Sequence, residues 1–400
     1  MTVLQGRNVA LGITGSIAAY KAADLASKLT QAGAHVDALM TEAATRFVTP
    51  LTLRSITGRP VFLDMFDPST ELAEEHVEIA RRADAVIVAP ASATTIAKLA
   101  HGLADDMVTL TVLATKAPVL IAPAMDGQMF EHAATQANLE TLRERGYLIV
   151  GPAEGRLASG RMGLGRLADT ETLLGALKQA LGKRHGDIAG RRVVVTAGGT
   201  REPIDPVRFI SNYSTGKMGY AVAEAARDRG AEVTLVTTPT ALACPYGVAV
   251  VPVETVAQMR DAVLAACATA DALIMAAAVS DYRPAERAER KVKKGPERKS
   301  IELVRNADFL LEITGPLIKV GFAAETDGLV ENARKKLSEK DLALIVANDV
   351  TAPGSGFAVD TNQVTIIDRS GAAEELPLLP KYDVAHRVLD RVAALLRERA

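Results

Sequence analysis

The sequence predicts an α/β protein of two doubly wound domains, each built on a parallel sheet, and three observations carry that expectation. The chain has 400 residues, more than one hydrophobic core ordinarily serves. Continuous apolar runs alternate with amphipathic helical stretches, the pattern of strands covered on both faces. The two halves also echo each other: residues 7–14 (RNVALGIT) and 191–197 (RRVVVTA) each lead from charge through an apolar run into a Gly-containing turn.

The elements follow in the same order in both halves. A helical pattern ending in glycine occupies 16–33 and 216–230. Strand patterns come next at 35–40 (HVDALM) and 232–237 (EVTLVT), and again at 83–89 (ADAVIVA) and 270–276 (ADALIMA). Duplication and the shared demands of Rossmann-like βαβ units both account for the echo. The polar stretch 182–190 (GKRHGDIAG), Gly-flanked and without apolar period, is the expected linker, dividing the chain into domains 1–189 and 190–400.

Composition narrows the function. With 48% hydrophobic and 24% charged residues and a formal net charge of −2, the chain has no basic excess for nucleic acid. Its two cysteines, Cys244 and Cys267, have no metal-ligand spacing and favour a reducing, cytoplasmic setting over a disulfide framework. The N-terminus does not read as a signal peptide, and no run of 18 apolar residues is present, so no membrane partner is expected. Small-molecule substrates are the expected partners.

In the first half, Thr14-Gly15-Ser16 joins a strand to a helix, a turn that exposes backbone N–H groups to an anion. Glycines at 12 and 15 do not make a G-x-G-x-x-G fingerprint, and the following strand ends at Met40-Thr41, with an acid only at Glu42. A nicotinamide dinucleotide is therefore disfavoured. Around His76 stand GSIAAYK (15–21), MTEAA (40–44), PASATTIAK (90–98), GLADD (102–106) and PAMDGQM (123–129). In order and spacing these resemble the flavin-dependent cysteine decarboxylases over about residues 5–180.

That resemblance implies an FMN-binding fold assembled as trimers, with the flavin near subunit interfaces. Gly15, Ser16 and Thr41 would hold the FMN phosphate and ribityl chain, and Ser92 and Thr95 would contact the flavin. His76 would sit beside the substrate carboxylate. By its own context it reads as an exposed helical histidine whose pKa Glu74, Glu75 and Glu78 would raise. A flavin suits the chemistry, because oxidation of the terminal thiol turns the carboxylate into a leaving group β to an electron sink.

Two positions depart from the family. Its Pro-x-Met-Asn motif reads Pro123-Ala-Met-Asp126, replacing a donor and acceptor by an acceptor. A substrate carboxylate facing Asp126 would push one of the two pKa values up. In the flap 157–166 (LASGRMGLGR), Ser159 stands where most relatives carry the cysteine that protonates the reduced intermediate. A hydroxyl is a far poorer acid than a thiol. Ser159 positioning another donor, Asp126 as proton source, and an inactive front half are the three alternatives.

In the second half, residues 193–219 (VVVTAGGTREPIDPVRFISNYSTGKMG) pass from a strand through a Gly-Gly turn to a helix start. Walker spacing fails, with Ser at 211 and Met at 218. With AAAVSDY (276–282), KVKK (291–294), NAD (306–308), GFAAET (321–326) and AND (347–349), the stretch resembles the phosphopantothenate–cysteine ligases over residues 190–395. Fused bacterial members use CTP, forming an acyl-cytidylate and then an amide with cysteine.

By that resemblance Met275, Ala276, Ala277, Asp281, Lys291, Ala307, Asp308, Phe322, Lys336 and Lys340 would bind the nucleotide. Asn212 would contact the acyl intermediate, Arg208 would assist the cysteine step, and Mg²⁺ would ride on phosphate oxygens. Taken singly, Lys336 and Lys340 read as solvated lysines, Asn212 as a turn cap and Lys291 as surface charge. The basic segment 281–299 is either a solvated loop or a phosphate-binding flap. Together the resemblances imply coenzyme A biosynthesis by ligation and then decarboxylation. The competing readings are a ligase with an inactive or regulatory flavoprotein half, and a tandem nicotinamide oxidoreductase.

Overall fold

The computed structural model describes residues 3–66, 75–293, 300–325, 329–349 and 354–399. The chain forms two compact units, Met1–Arg184 and His185–Ala400.

In the first unit the strands β1 (Asn8–Ile13), β2 (His35–Met40), β3 (Val61–Phe62), β4 (Ala85–Ala91), β5 (Val119–Pro123) and β6 (Leu148–Ile149) lie in the order β3-β2-β1-β4-β5-β6. Every pairing is parallel. β4 is buried at all of its positions, as a central strand covered on both faces must be. Helices α1 (Lys21–Gln31), α2 (Pro50–Thr57), α3 (Glu75–Arg82), α4 (Ala93–His101), α5 (Met107–Ala114), α6 (Gly127–Glu131) and α7 (Ala133–Glu144) connect the strands. A hairpin of β7 (Ala153–Arg156) and β8 (Met162–Arg166) precedes α8 (Thr170–His185). The strand order reverses between β1 and β4, and in open α/β sheets ligands bind at that switch point, beyond the carboxyl ends.

The expected linker begins too early. α8 continues through Gly182 to His185, burying Leu177 and Leu181 on one face, so this segment is helix rather than connection.

The second unit runs β9 (Arg192–Ala197), β10 (Glu202–Pro203), β11 (Phe209–Ile210), α9 (Lys217–Asp228), β12 (Glu232–Thr237), β13 (Ala249–Pro252), α10 (Val256–Cys267) and β14 (Ala272–Met275). It continues with β15 (Tyr282–Pro284), β16 (Leu303–Arg305), β17 (Ile318–Glu325), α11 (Leu329–Glu339) and β18 (Leu344–Asp349). It ends with β19 (Thr361–Asn362), β20 (Val364–Asp368), β21 (Ala373–Glu375), β22 (Leu379–Pro380) and α12 (Lys381–Glu398). The sheet order is β13-β12-β9-β14-β17-β18-β20-β21.

Its first six strands are parallel and repeat the order of the first unit, with the reversal between β9 and β14. β20 and β21 are antiparallel and extend this parallel sheet at its β18 edge. Val193 and Val195 face α9 and α12, whereas Val194 faces Met259 and Val263 of α10. Alternation across β9 thus supplies both core layers. Among the described residues, the β14–β17 crossover is made by the β15–β16 hairpin and a short 3-10 turn at Phe309–Glu312, with no α-helix. A cleft lies there.

Candidate active sites at the sheet switch points

In the first unit the carboxyl ends of four neighbouring strands bring the sequence-predicted residues to one edge. Gly15 and Ser16 follow β1, Thr41 follows β2, Ser92 follows β4 and Asp126 follows β5. Ser16, Thr41, Ser92 and Asp126 each hold an extended backbone and cap the helical turn that comes next. The Ser16 hydroxyl donates to the Ala124 carbonyl at 3.1 Å, tying the turn after β1 to the turn after β5. Thr14, which sequence reasoning passed over, donates to Pro90 O and accepts the Ser92 N–H, both at 2.8 Å. A Cβ at position 15 would lie 2.6 Å from the Ala43 Cβ, so only glycine lets these two turns close together.

Thr95 is buried and its hydroxyl lies 3.1 Å from that of Ser92, so it braces Ser92. His76 is half-buried in the first turn of α3, whose last turn leads into β4, so its first turn sits toward the carboxyl edge. Of the acidic neighbours invoked for His76, Glu74 lies outside the described residues.

Asp126 and Ser159 meet. Ser159, at the exposed tip of the β7–β8 hairpin, donates to Asp126 Oδ2 at 2.8 Å, and the Gln128 N–H donates to Oδ1 at 3.2 Å. The Ser159 hydroxyl, then the Gln128 amide, hold the Asp126 carboxyl below its ordinary value. The upward shift expected of Asp126 belongs to a substrate carboxylate placed against it; by its protein partners alone it is an ionised acceptor.

In the second unit a cleft of about 710 Å³ is lined by Met275, Ala277, Asp281, Ala307, Asp308, Phe322, Lys336 and Lys340 together. Ala276 instead lines a smaller adjoining cavity, with Ala277, Phe322, Lys217 and Lys381. Lys340 is ion-paired with Asp308 at 2.8 Å rather than solvated. The Lys381 ammonium donates to Gly356 O at 2.8 Å and Phe357 O at 3.3 Å, and burial, then Lys217, lowers its pKa to about 8.

Asn212 gives one amide N–H to Ala278 O at 2.7 Å and accepts the Ser214 N–H at 3.2 Å. A Cβ on Gly199 would stand 2.2 Å from its Oδ1, so the Gly-Gly turn is what admits Asn212. Lys291 is exposed and does not line the cleft; its neighbour Val292 is bonded to Asp205 and Arg208. Segment 281–299 is a loop only in part, because β15 pairs with β16, and residues 294–299 lie outside the described ones.

Two family models match the chain: Flavoprotein over residues 2–182, and DNA/pantothenate metabolism flavoprotein C-terminal domain over 188–396. Coenzyme A biosynthesis bifunctional protein CoaBC of Bacillus subtilis is 47% identical over 401 residues, covering 99% of each chain. The protein of that name from Escherichia coli is 43% identical over 404 residues, again covering 99% of both. A solved C-terminal domain of a CoaBC protein is 42% identical, covers 53% of this chain and 99% of its own, and has a TM-score of 0.46. On full-length likeness and both domain matches, the chain belongs to the family of bifunctional coenzyme A biosynthesis proteins, a flavoprotein domain followed by a DNA/pantothenate metabolism domain.

Proposed function

We propose that the second unit ligates cysteine to 4'-phosphopantothenate with CTP, and that the first unit decarboxylates the resulting phosphopantothenoylcysteine with FMN. The observation that carries this reading is the cleft, which gathers Asp281, Asp308, Phe322, Lys336 and Lys340 from four separate stretches of chain. In the first step a carboxylate oxygen attacks the α-phosphorus and pyrophosphate leaves. Lys336 and Lys340 then supply preorganised positive charge, and the phosphates take over Lys340 from Asp308. Magnesium would supply further positive charge to the triphosphate. In the second step the cysteine amine attacks the acyl carbon, CMP leaves and the amine loses a proton. Asn212 keeps its second amide N–H for the acyl group, since the first is spent on Ala278.

In the first unit the donor set fits FMN: hydroxyls of Ser16, Thr41 and Ser92 and the backbone of the Gly15 turn converge on the edge where a phosphate ester needs them. What the flavin supplies when bound is reversible two-electron oxidation of the substrate's terminal thiol. His76 orients the carboxylate to be lost. Asp126 holds Ser159 and the hairpin tip in place, and a water that Ser159 positions delivers the proton. Ile17, Tyr20, Phe47, Leu51 and Phe66 are exposed on this unit, surfaces that a trimer-based assembly would cover. The chemistry suits a cytoplasmic enzyme, and among the described residues no helix is long and apolar enough to cross a membrane.

The division of labour is tested with two variants. Asn212→Asp is expected to cripple ligation and leave decarboxylation of supplied phosphopantothenoylcysteine intact, because a carboxylate cannot donate to Ala278 O. His76→Asn is expected to stop CO₂ release with FMN still bound. Equal loss of both activities in either variant would refute the assignment, and faster turnover with ATP than with CTP would overturn the nucleotide.

A further inference from the structure

Arg208 and Lys291 stand 83 positions apart in sequence, yet one buried carboxylate joins their segments. Asp205 sits in the turn between β10 and β11 and is 2% exposed. Its Oδ1 accepts the Val207 and Arg208 backbone N–H groups at 2.8 and 2.9 Å. Its Oδ2 accepts Arg208 Nε at 3.0 Å, Arg208 Nη2 at 2.5 Å and the Val292 N–H at 3.1 Å. Arg208 Nη2 closes the ring by donating to Val292 O at 3.0 Å. Nearby, the Ala288 N–H donates to Ile204 O at 3.0 Å.

Five N–H donors saturate the lone pairs of a carboxylate. Asp205 therefore has nothing left with which to bind a metal or take a proton from substrate. The Arg208 guanidinium beside it holds its carboxyl far below the ordinary range, so it stays ionised. What remains to it is geometry. Its bonds fix the guanidinium at one end and the backbone of Val292, next to Lys291, at the other.

We propose that Asp205 is a positioning residue for both ligation steps, locking the segment that carries Lys291 to the turn that carries Arg208. The inference rests on the ligase reading. Without Asp205 the 291–293 segment and the Arg208 side chain lose their common anchor, and each cation meets its substrate in many poses rather than one.

The test uses the full-length chain with CTP, Mg²⁺ and phosphopantothenate. Pyrophosphate release without cysteine reads the first step, and amide formation after cysteine is added reads the second. Asp205→Asn is expected to lower kcat in each step by roughly 10–100-fold, with smaller changes in KM. Decarboxylation of supplied phosphopantothenoylcysteine serves as the internal control.

A purely structural defect would cost the same in any background, whereas a positioning role would not. In a Lys291→Gln chain, Asp205→Asn is expected to slow pyrophosphate release by about threefold or less, and in an Arg208→Lys chain the same holds for amide formation. Full additive losses in both backgrounds, or wild-type rates in Asp205→Asn, would overturn the proposal. Should Asp205→Asn fail to fold, Val292→Pro removes the N–H given to Asp205 and leaves the Asp205 carboxylate in place. It is expected to slow pyrophosphate release, and an unchanged rate would overturn the proposal just as surely. If the wild-type chain releases no pyrophosphate, the ligase reading itself has failed.

Discussion

At the residue scale, the departures from the decarboxylase motif form one contact. Asp126 and Ser159 are 33 positions apart in sequence and hydrogen-bonded in the fold. Because the folded pKa of Asp126 is depressed, the interaction is present above the ordinary aspartate value of 3.8 and is lost only as pH falls through the lower folded value. Asp126 should therefore put no acid limb on decarboxylation between about pH 5 and 8. Rates of CO₂ release for wild type and Asp126→Asn should run parallel across that window; a limb that vanishes in the variant would contradict the assignment. Ser159→Ala should slow decarboxylation roughly tenfold or more and spare ligation. Motif letters did not reveal which groups pair with one another. Thr95 spends its hydroxyl on Ser92, and Lys98 pairs with Asp105 and Asp106, so two decarboxylase motifs are joined by an internal ion-pair cluster. Asp205 meets Val207 and Arg208 locally, but its link to Val292 had no local signal, because tertiary structure alone brings them together.

At the element scale, α9 and α12 pack together over the second sheet and bury a polar network. Arg229 bridges Asp187 and Asp390 and donates to His386 O at 2.9 Å, and Tyr382 donates to Asp228 at 2.5 Å. His386, edge-on to Tyr382, has its pKa lowered to about 4, first by burial and then by Arg229. Between that value and the ordinary 6.5 the unfolded chain binds the extra proton, so stability rises with pH through this window. Acidification to about pH 5 should cost about 2 kcal/mol. Hydrogen exchange in α9 and α12 would register this, and His386→Leu should flatten the dependence; an unaltered slope would contradict it. Helix positions were legible because a 3.6 period and terminal glycines mark them locally. The end of α8 was not, since Gly182–His185 is polar in letters and continues the helix only because Leu177 and Leu181 are anchored. Strand direction at β20 was equally hidden, as VTIID reads alike in parallel and antiparallel sheets.

At the scale of the whole molecule, the echo between the halves is topological. The paired segments become β1 and β9, β2 and β12, β4 and β14, the first, second and fourth strands of two sheets with the same order and switch point. The candidate residues of the first unit collect at that position, and eight of the nucleotide-site candidates of the second line a cleft along its β14–β17 crossover. Residues distant in sequence could be assigned from family motifs, but their meeting could not be read from spacing. The decisive measurement is to supply the purified full-length protein with phosphopantothenate, cysteine, CTP and Mg²⁺ and to identify every product. A yellow protein that yields phosphopantetheine, pyrophosphate and CO₂ is the expected result. Accumulation of phosphopantothenoylcysteine without CO₂ would contradict it, leaving a ligase joined to a flavoprotein unit that Asp126 and Ser159 have silenced.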